Sequence, residues 1–263
     1  MLNFNNHLSN ICIQKNNRLC IGLDVDNRKL HNTSISYIEG FIKDIIDATI
    51  NICPVYKVNL AFYERLGKYG FDLLSMIPEY IDNRAVTIAD AKRGDIGNSS
   101  KYYAEAIFTT LNYDSITVSP YMGEDSILPF CERKNKGVFI LCLTSNHGSS
   151  NFQNKKIDKN ELFIHVAKLA SKLNNNGNIG LVVGATKYDK MNNIKVVSGD
   201  MPWLIPGVGF QGGSLKDSIL IGSKNNSIAL VNSSRSIIYA GDGSIKDIKL
   251  AAENFTNEIR KNL

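Results

Sequence analysis

The sequence has few of the features that mark a membrane protein, a disulfide framework or a metal centre. No run of 18 or more apolar residues occurs in the 263-residue chain, so no membrane span is expected. The five cysteines contain no C-x-x-C pair, and the four histidines contain no H-E-x-x-H motif. We therefore expect neither disulfides nor a bound metal ion.

The N-terminal segment, MLNFNNHLSNICIQKNNR, lacks the basic and then apolar layout of a secretory signal peptide. An odd number of cysteines without a pairing pattern fits a reducing compartment, so a cytoplasmic protein is predicted. Thirty Lys and Arg against 25 Asp and Glu give a net charge of +5. The basic residues are scattered, which argues against nucleic-acid binding and suits a small anionic substrate.

Short β-branched apolar runs alternate with longer amphipathic segments along the chain. Strands are predicted at residues 19–25, 55–60, 85–89, 115–118, 138–143, 179–183, 203–205 and 228–231. Alternation with helical patterns implies an α/β fold with a parallel sheet. Eight such units in about 250 residues favour a closed (β/α)₈ TIM barrel.

An open doubly wound sheet is the alternative, but the usual nucleotide-binding signatures are missing. The first predicted strand is followed by D-V-D-N-R rather than G-x-G-x-x-G, and no G-x-x-x-x-G-K-[ST] motif occurs. We expect residues 3–17 to form an extra helix that closes the bottom of the barrel. No linker interrupts the chain, so residues 1–263 are predicted to form one domain.

Charged residues cluster where the second and third predicted strands end, which is where TIM barrels place their chemistry. Asp90 and Lys92 share one face of a strand because side chains repeat with period two, and Asp95 follows at the turn. Lys57 lies on the neighbouring strand. An ion-pair network that holds the barrel rim is the structural alternative, but burying four charges costs several kcal/mol per ion even when they are paired. The array therefore favours a catalytic site in which carboxylates keep Lys92 protonated.

A second polar region follows the seventh and eighth predicted strands. The segment PGVGFQGGS brings closely spaced glycines to the usual phosphate-binding position of this architecture. Arg235, after the eighth strand, can bind a phosphate group in a bidentate manner. A tight βα turn is the alternative for the glycines alone, and the combination with the arginine favours phosphate binding.

The segment DAKRGDIGNSS resembles the D-x-K-x-x-D signature of the orotidine 5′-phosphate decarboxylase family. The likeness continues, in the family's order, through CIGLDVD, VYKVNLAFYERLG, SITVSPYMGEDS, LCLTSNHGSSNFQ, LVVGAT, PGVGFQGGS and NSSRSIIYAG. It is nearest to the branch of the family that carries D-A-K-R-G-D-I-G. One departure is His147, where this loop of the family is expected to have proline.

This resemblance implies decarboxylation of orotidine 5′-monophosphate to uridine 5′-monophosphate in pyrimidine synthesis, without cofactor or metal. The implied catalytic residues are Lys57, Asp90, Lys92 and Asp95, with Lys92 as the proton donor. The implied substrate-binding residues are Asp24, Ser99, Ser145, Gln211, Gly212, Ser234 and Arg235. The resemblance also implies a homodimer in which Asp95 and Ser99 complete the partner's site. Whether the chain associates with a separate orotate phosphoribosyltransferase stays open.

Two other functions stay open beside this one. A sister phosphosugar barrel, such as a hexulose-phosphate synthase or a keto-gulonate-phosphate decarboxylase, shares D-x-K-x-x-D but would need Mg²⁺. Lys57 and Gln211 argue against that class. A nucleotide-binding module without catalysis is the other, and the intact set of Lys92 and two aspartates argues against it.

Overall fold

The computed structural model of the protein describes residues 2–209 and 212–263. Eight parallel strands close into a barrel in which every strand pairs with its neighbours in chain order, and the last pairs with the first. The strands are β1 Leu19–Gly22, β2 Val55–Asn59, β3 Val86–Arg93, β4 Ser115–Val118, β5 Gly137–Leu143, β6 Ile179–Val183, β7 Trp203–Ile205 and β8 Ala229–Ser233. The (β/α)₈ prediction is confirmed.

Helices fill the connections and surround the barrel. They are α1 Phe4–Gln14, α2 Ile35–Thr49, α3 Ala61–Glu64, α4 Lys68–Ile81, α5 Gly97–Glu105, α6 Glu124–Cys131, α7 Leu162–Leu173, α8 Tyr188–Ser198, α9 Leu215–Gly222, α10 Arg235–Ile238 and α11 Ile245–Arg260. A small antiparallel hairpin, Lys156–Ile157 with Asn160–Glu161, precedes α7. Among the described residues, none of the helices is both long and apolar enough to span a membrane.

Serine residues mark where three of the outer helices begin. Ser34, Ser214 and Ser244 each precede a helix and accept a hydrogen bond from an amide in its first turn. A side-chain oxygen in this position satisfies one of the amides that the helix itself leaves without an acceptor.

The apolar core has two layers, one inside the barrel and one between the strands and the outer helices. Helix α1 belongs to the inner layer, because Phe4, Leu8 and Cys12 are fully buried there. The rings of Phe4 and Phe139 meet edge to face with centroids 6.0 Å apart. Gly137 is required at this contact, because a Cβ atom there would lie 2.3 Å from the Phe4 ring. Helix α1 thus closes the N-terminal end of the barrel.

The strand ends differ from the sequence prediction at one functionally important place. Strand β3 extends to Arg93, whereas the prediction ended it at residue 89. Its register with β4 shifts between Ala89 and Arg93, as in a β-bulge. Asp90 and Lys92, which the sequence pattern already placed on one face of a strand, both belong to β3 itself.

Candidate active site

Four charged side chains form a continuous ion-pair chain at the C-terminal mouth of the barrel. Lys57 Nζ lies 3.5 Å from Asp24 Oδ1 and 3.3 Å from Asp90 Oδ2. Lys92 Nζ lies 2.7 Å from the other oxygen of Asp90, Oδ1. The charges therefore alternate in the order Asp24, Lys57, Asp90, Lys92. The structure brings together three of the four predicted catalytic residues and one predicted substrate-binding residue.

The barrel register explains why these side chains meet. Gly22 of β1 pairs with Lys57 of β2, and Asn59 of β2 pairs with Asp90 of β3. Asp24 follows β1 directly and accepts a hydrogen bond from the Asn59 amide at 3.2 Å. Adjacent parallel strands thus deliver their polar residues to the same level of the barrel.

Burial and charge act in opposite directions on the two inner members of the chain. Burial works to lower the pKa of Lys57, but the carboxylates of Asp24 and Asp90 outweigh it and hold that pKa above its ordinary value. Burial likewise works to raise the pKa of Asp90. The ammonium groups of Lys57 and Lys92, with hydrogen bonds from Lys92 and Thr117, instead lower it to about 2. Both groups are therefore charged at neutral pH.

The outer end of the chain, Lys92, is open to the mouth of the barrel. Its side chain is 48% exposed, against 5% for Lys57. Its backbone φ is +50°, in the left-handed region that favours glycine. An ammonium group held on one side by Asp90 and accessible on the other can reach a bound molecule.

Sequence reasoning missed a residue that contacts both Asp90 and Lys92. The hydroxyl of Thr117, on β4, donates to Asp90 Oδ1 at 2.8 Å and accepts from the Lys92 amide at 3.0 Å. Thr117 is fully buried. Thr117 alternates with Ser115 along β4, so the pattern places both hydroxyls on one side of the sheet, but it does not show that Thr117 meets Asp90.

Asp95 and Ser99 lie apart from the ion-pair chain. The half-buried Asp95 follows β3, and its carboxylate accepts a hydrogen bond from the Ile96 amide at 2.8 Å. Across the described parts of the chain, Asp95 makes no ion pair. Ser99 is exposed in the first turn of α5. Within one subunit, the structure does not bring these two residues to Lys92.

A cavity of about 470 Å³ adjoins the ion-pair chain on the side of β8. Asp24, Ser234 and Arg235 all line it. The Ser234 hydroxyl donates to the Gly22 carbonyl at 2.9 Å, which ties the end of β8 to β1. Arg28 and Lys29 also line the cavity, where Arg28 forms a 2.8 Å ion pair with Asp26.

The glycine-rich loop between β7 and α9 forms another wall of this region. Gly207 lines the cavity, and Gly207, Gly209 and Gly212 all have φ values between +73° and +94°. A positive φ in this range favours glycine, because a side chain would strain the backbone there. The spacing of the glycines therefore follows from the conformation of the loop. The predicted ligand Gln211 lies outside the described residues.

Ser145 lies in the loop after β5, which packs closely on the end of β6. Its carbonyl accepts a hydrogen bond from Thr186 Oγ1 at 3.1 Å. A Cβ atom at Gly184 would lie 2.6 Å from the Ser145 amide nitrogen, so only glycine permits this approach. His147 begins the short 3₁₀ helix His147–Asn151 and is exposed.

A larger cavity, about 600 Å³, opens at the opposite, N-terminal end of the strands. Two of its charged residues, Asp114 and Lys136, have structural partners. Asp114 accepts from the amide and hydroxyl of Thr87, both at 2.9 Å, and lies 3.8 Å from Lys136 Nζ. Over residues 2–209 and 212–263, no group of three or more His, Cys, Asp or Glu side chains is arranged to hold a metal ion.

Comparison with known proteins identifies the family and supports the barrel fold. A model of the family described as "Orotidine 5'-phosphate decarboxylase / HUMPS family" matches residues 17–247. The chain belongs to this family. Among curated members, the orotidine 5'-phosphate decarboxylase of Dehalococcoides mccartyi is 50% identical over 231 residues, which are 86% of this chain and 85% of that one.

Solved structures of decarboxylase family members have the same barrel. The OMP decarboxylase of Leishmania donovani superimposes with a TM-score of 0.89 at 34% identity, over 99% of both chains. The UMP synthase of the same organism gives a TM-score of 0.91 at 35% identity, over all of this chain but 57% of that one.

Proposed function

We propose that the protein decarboxylates orotidine 5′-monophosphate to uridine 5′-monophosphate and CO₂, in de novo pyrimidine synthesis. The observation that carries the proposal is the ion-pair chain Asp24–Lys57–Asp90–Lys92 at the mouth of a barrel of this family. Loss of CO₂ leaves an electron pair in the plane of the pyrimidine ring, where the π system cannot delocalise it. A fixed ammonium beside that carbon stabilises the developing charge directly.

Lys92 is the residue that we assign to this role. Its ammonium is held at 2.7 Å by Asp90 and is the accessible end of the chain. As the carbon–carbon bond breaks, the electron pair stays on the ring carbon and CO₂ leaves. The carbon then takes a proton from Lys92 Nζ, and solvent restores the proton to the amine. Lys57 holds the opposite oxygen of Asp90 and fixes the carboxylate.

The remaining predicted residues are assigned to parts of the substrate. We assign the ribose to Asp24 and the phosphate to Arg235, because both line one cavity, and Asp24 also belongs to the ion-pair chain. Ser234, Gly212 and Gln211 are assigned to the phosphate as well. Ser145, in the loop after β5, is assigned to the base.

We further propose that the protein is a homodimer with shared active sites. Asp95 and Ser99 are assigned to the partner's site, with Asp95 acting beside the partner's copy of the catalytic lysine. Three large apolar side chains on the segments that follow β3 and β4 support an interface there: Ile96, Tyr102 and Tyr121 are 60%, 65% and 83% exposed.

Other assignments follow the same resemblance. We place the chain in the branch that carries D-A-K-R-G-D-I-G, which residues 90–97 spell in full. We propose that residues 1–263 work as one domain, in the cytoplasm, where the five buried cysteines stay reduced. The resemblance leaves open whether the chain associates with a separate orotate phosphoribosyltransferase.

The test is the fall in orotidylate absorbance when purified protein is added. We expect turnover that survives exhaustive EDTA treatment, because an ammonium already lies between the carboxylates of Asp24 and Asp90 that could otherwise bind a cation. Activity that EDTA removes and Mg²⁺ restores would assign the protein to a sister phosphosugar barrel. Binding of the nucleotide without a single turnover would indicate a binding module.

A further inference from the structure

The pairing of β3 with β4 is irregular at the assigned catalytic residues. Ala89 pairs with Ile116 and Arg93 pairs with Val118, so three residues of β3 stand opposite one residue of β4. The three are Asp90, Ala91 and Lys92, and the one is Thr117. The bulge therefore coincides with the catalytic pair.

A bulge of this kind removes ladder hydrogen bonds from the extra residues. The Lys92 amide donates instead to the Thr117 hydroxyl at 3.0 Å, while the Lys92 backbone has a φ of +50°. A left-handed conformation in a residue other than glycine persists only where the surroundings hold it. The hydroxyl of Thr117 supplies one such restraint.

The same hydroxyl also fixes the Asp90 carboxylate. Because its oxygen accepts from the Lys92 amide, its single proton is left for Asp90 Oδ1, at 2.8 Å. Oδ1 therefore takes hydrogen bonds from Thr117 and from Lys92 Nζ at once. Thr117 is fully buried, so water does not compete for either bond.

We propose that Thr117 is a positioning residue for the decarboxylation, which holds the backbone of Lys92 and the carboxylate of Asp90 in one geometry through a single hydroxyl. The inference rests on the proposed function. Thr117 acts on the reaction through Lys92 and Asp90 and is assigned no contact with substrate. Without the Thr117 hydroxyl, the Lys92 ammonium is no longer fixed beside the reacting carbon.

The experiment compares Thr117→Val, which removes the hydroxyl at nearly constant shape, with Thr117→Ser, which keeps it. The chain offers a matched control at the other end of the barrel. Thr87 is also buried on a strand, its hydroxyl also accepts from a backbone amide, at 3.0 Å, and it also donates to a carboxylate, that of Asp114, at 2.9 Å. Thr87→Val therefore removes the same two bonds away from the site.

We expect Thr117→Val to lower kcat by about 10- to 100-fold, since small misplacements of a reacting group have effects of this size. KM and the affinity for uridine 5′-monophosphate should change by no more than about threefold, because the phosphate and ribose contacts lie elsewhere. Thr87→Val should lower the melting temperature by about as much as Thr117→Val does, but it should keep wild-type kcat. Thr117→Ser should recover most of the lost kcat.

Several outcomes would overturn the proposal. A Thr117→Val enzyme with kcat within about twofold of wild type would do so, as would Thr117→Ser being as slow as Thr117→Val or Thr87→Val losing kcat equally. If Thr117→Val does not fold, Thr117→Cys takes its place with the same expected loss, because a thiol is a weak donor and acceptor. Wild-type turnover of orotidylate is measured first, so a failure of the proposed function is a separate result.

Discussion

Lys92 and Asp90, two residues apart on β3, form a 2.7 Å ion pair although the backbone of Lys92 is left-handed. On a regular strand, side chains two residues apart stand side by side on one face. Here the bulge turns the Lys92 side chain, and the pair forms at the mouth of the barrel, with Asp90 nearly buried and Lys92 half exposed. The buried carboxylate thus orients an accessible ammonium.

Removing that ammonium should stop the chemistry and spare binding. Lys92→Ala is expected to lower kcat by about three orders of magnitude or more, the upper range seen when one preorganised group is lost. Uridine 5′-monophosphate should still bind, because the cavity between Asp24 and Arg235 does not include Lys92. Steady-state kinetics and calorimetric binding check both parts. A variant that retained a tenth of wild-type turnover would contradict the role of Lys92 as proton donor.

We expect Arg235 to bind the phosphate group of the substrate and not to act at the reacting carbon. Arg235→Ala is expected to raise KM for orotidine 5′-monophosphate by about 100-fold, the equivalent of a charge-assisted pair of nearly 3 kcal/mol. Added guanidinium should restore part of the activity. Orotidine without phosphate provides the control: wild type and Arg235→Ala should turn it over equally, and equal damage with both substrates would remove Arg235 from the phosphate site.

Much of this site could be predicted from the sequence because parallel strands meet in register. Asp90 and Lys92 follow the period-two pattern of one strand, and a closed barrel brings the end of the neighbouring strand, with Lys57, to the same level. The strand predicted at residues 85–89 continues to Arg93 in the structure, so Asp90 and Lys92 lie within it. Local pattern does not reveal a bulge that a neighbouring strand stabilises.

Thr117 was missed for a related reason. A threonine inside an apolar strand is ordinary in sequence, and its value here depends on a register shift with β3 that only the three-dimensional pairing shows. Asp95, in contrast, belongs to the D-x-K-x-x-D motif and was predicted. Within one subunit, however, no ion pair among the described residues links it to Lys92. The proposed role of Asp95 in the partner's site is consistent with the lack of an ion pair to Lys92 within one subunit.

Subunit mixing tests whether Asp95 serves the partner's site. Lys92→Ala and Asp95→Ala, each inactive alone, are mixed in equal amounts under conditions of subunit exchange. If each site combines Lys92 of one subunit with Asp95 of the other, a mixed dimer has one site with both lesions and one with neither. Random exchange makes about half the dimers mixed, so about a quarter of all sites should regain activity.

The control for mixing is a pair that cannot complement. Lys92→Ala mixed with Asp90→Ala should recover nothing, because both residues come from the same strand of one subunit. Recovery by neither pair, with exchange verified by a tagged subunit, would show that Asp95 acts in its own subunit. The decarboxylase proposal would stand in that case.

Lys195 provides a prediction about stability that is separate from the site. It lies on α8 with 2% of its surface exposed, and its Nζ atom is buried with no hydrogen-bond partner among the described residues. The ammonium lies 4.9 Å from the centre of the Trp203 ring. Burial lowers the pKa of Lys195 to about 7, and the carboxylate of Asp200 opposes this only weakly.

The sign of the pH dependence follows from where the proton is bound. In the unfolded chain a lysine has a pKa of about 10.4, so between pH 7 and that value the unfolded state binds more protons than the folded one. The contribution of Lys195 to the free energy of unfolding therefore rises with pH across this window and is least favourable below pH 7.

Lys195→Met should remove that penalty and keep the aliphatic packing against Trp203. We expect the free energy of unfolding to rise by about 1–3 kcal/mol at pH 7, the range for relieving one buried unsatisfied polar group. The gain should be smaller at pH 10, because the unfavourable contribution of Lys195 in wild type has largely disappeared as the pH approaches the pKa of the unfolded chain. Urea titrations at both pH values measure the difference, and Lys168→Met, at an exposed position of α7, is the control with no expected pH trend. A gain that is equal at pH 7 and pH 10 would mean that Lys195 keeps its charge in the folded protein.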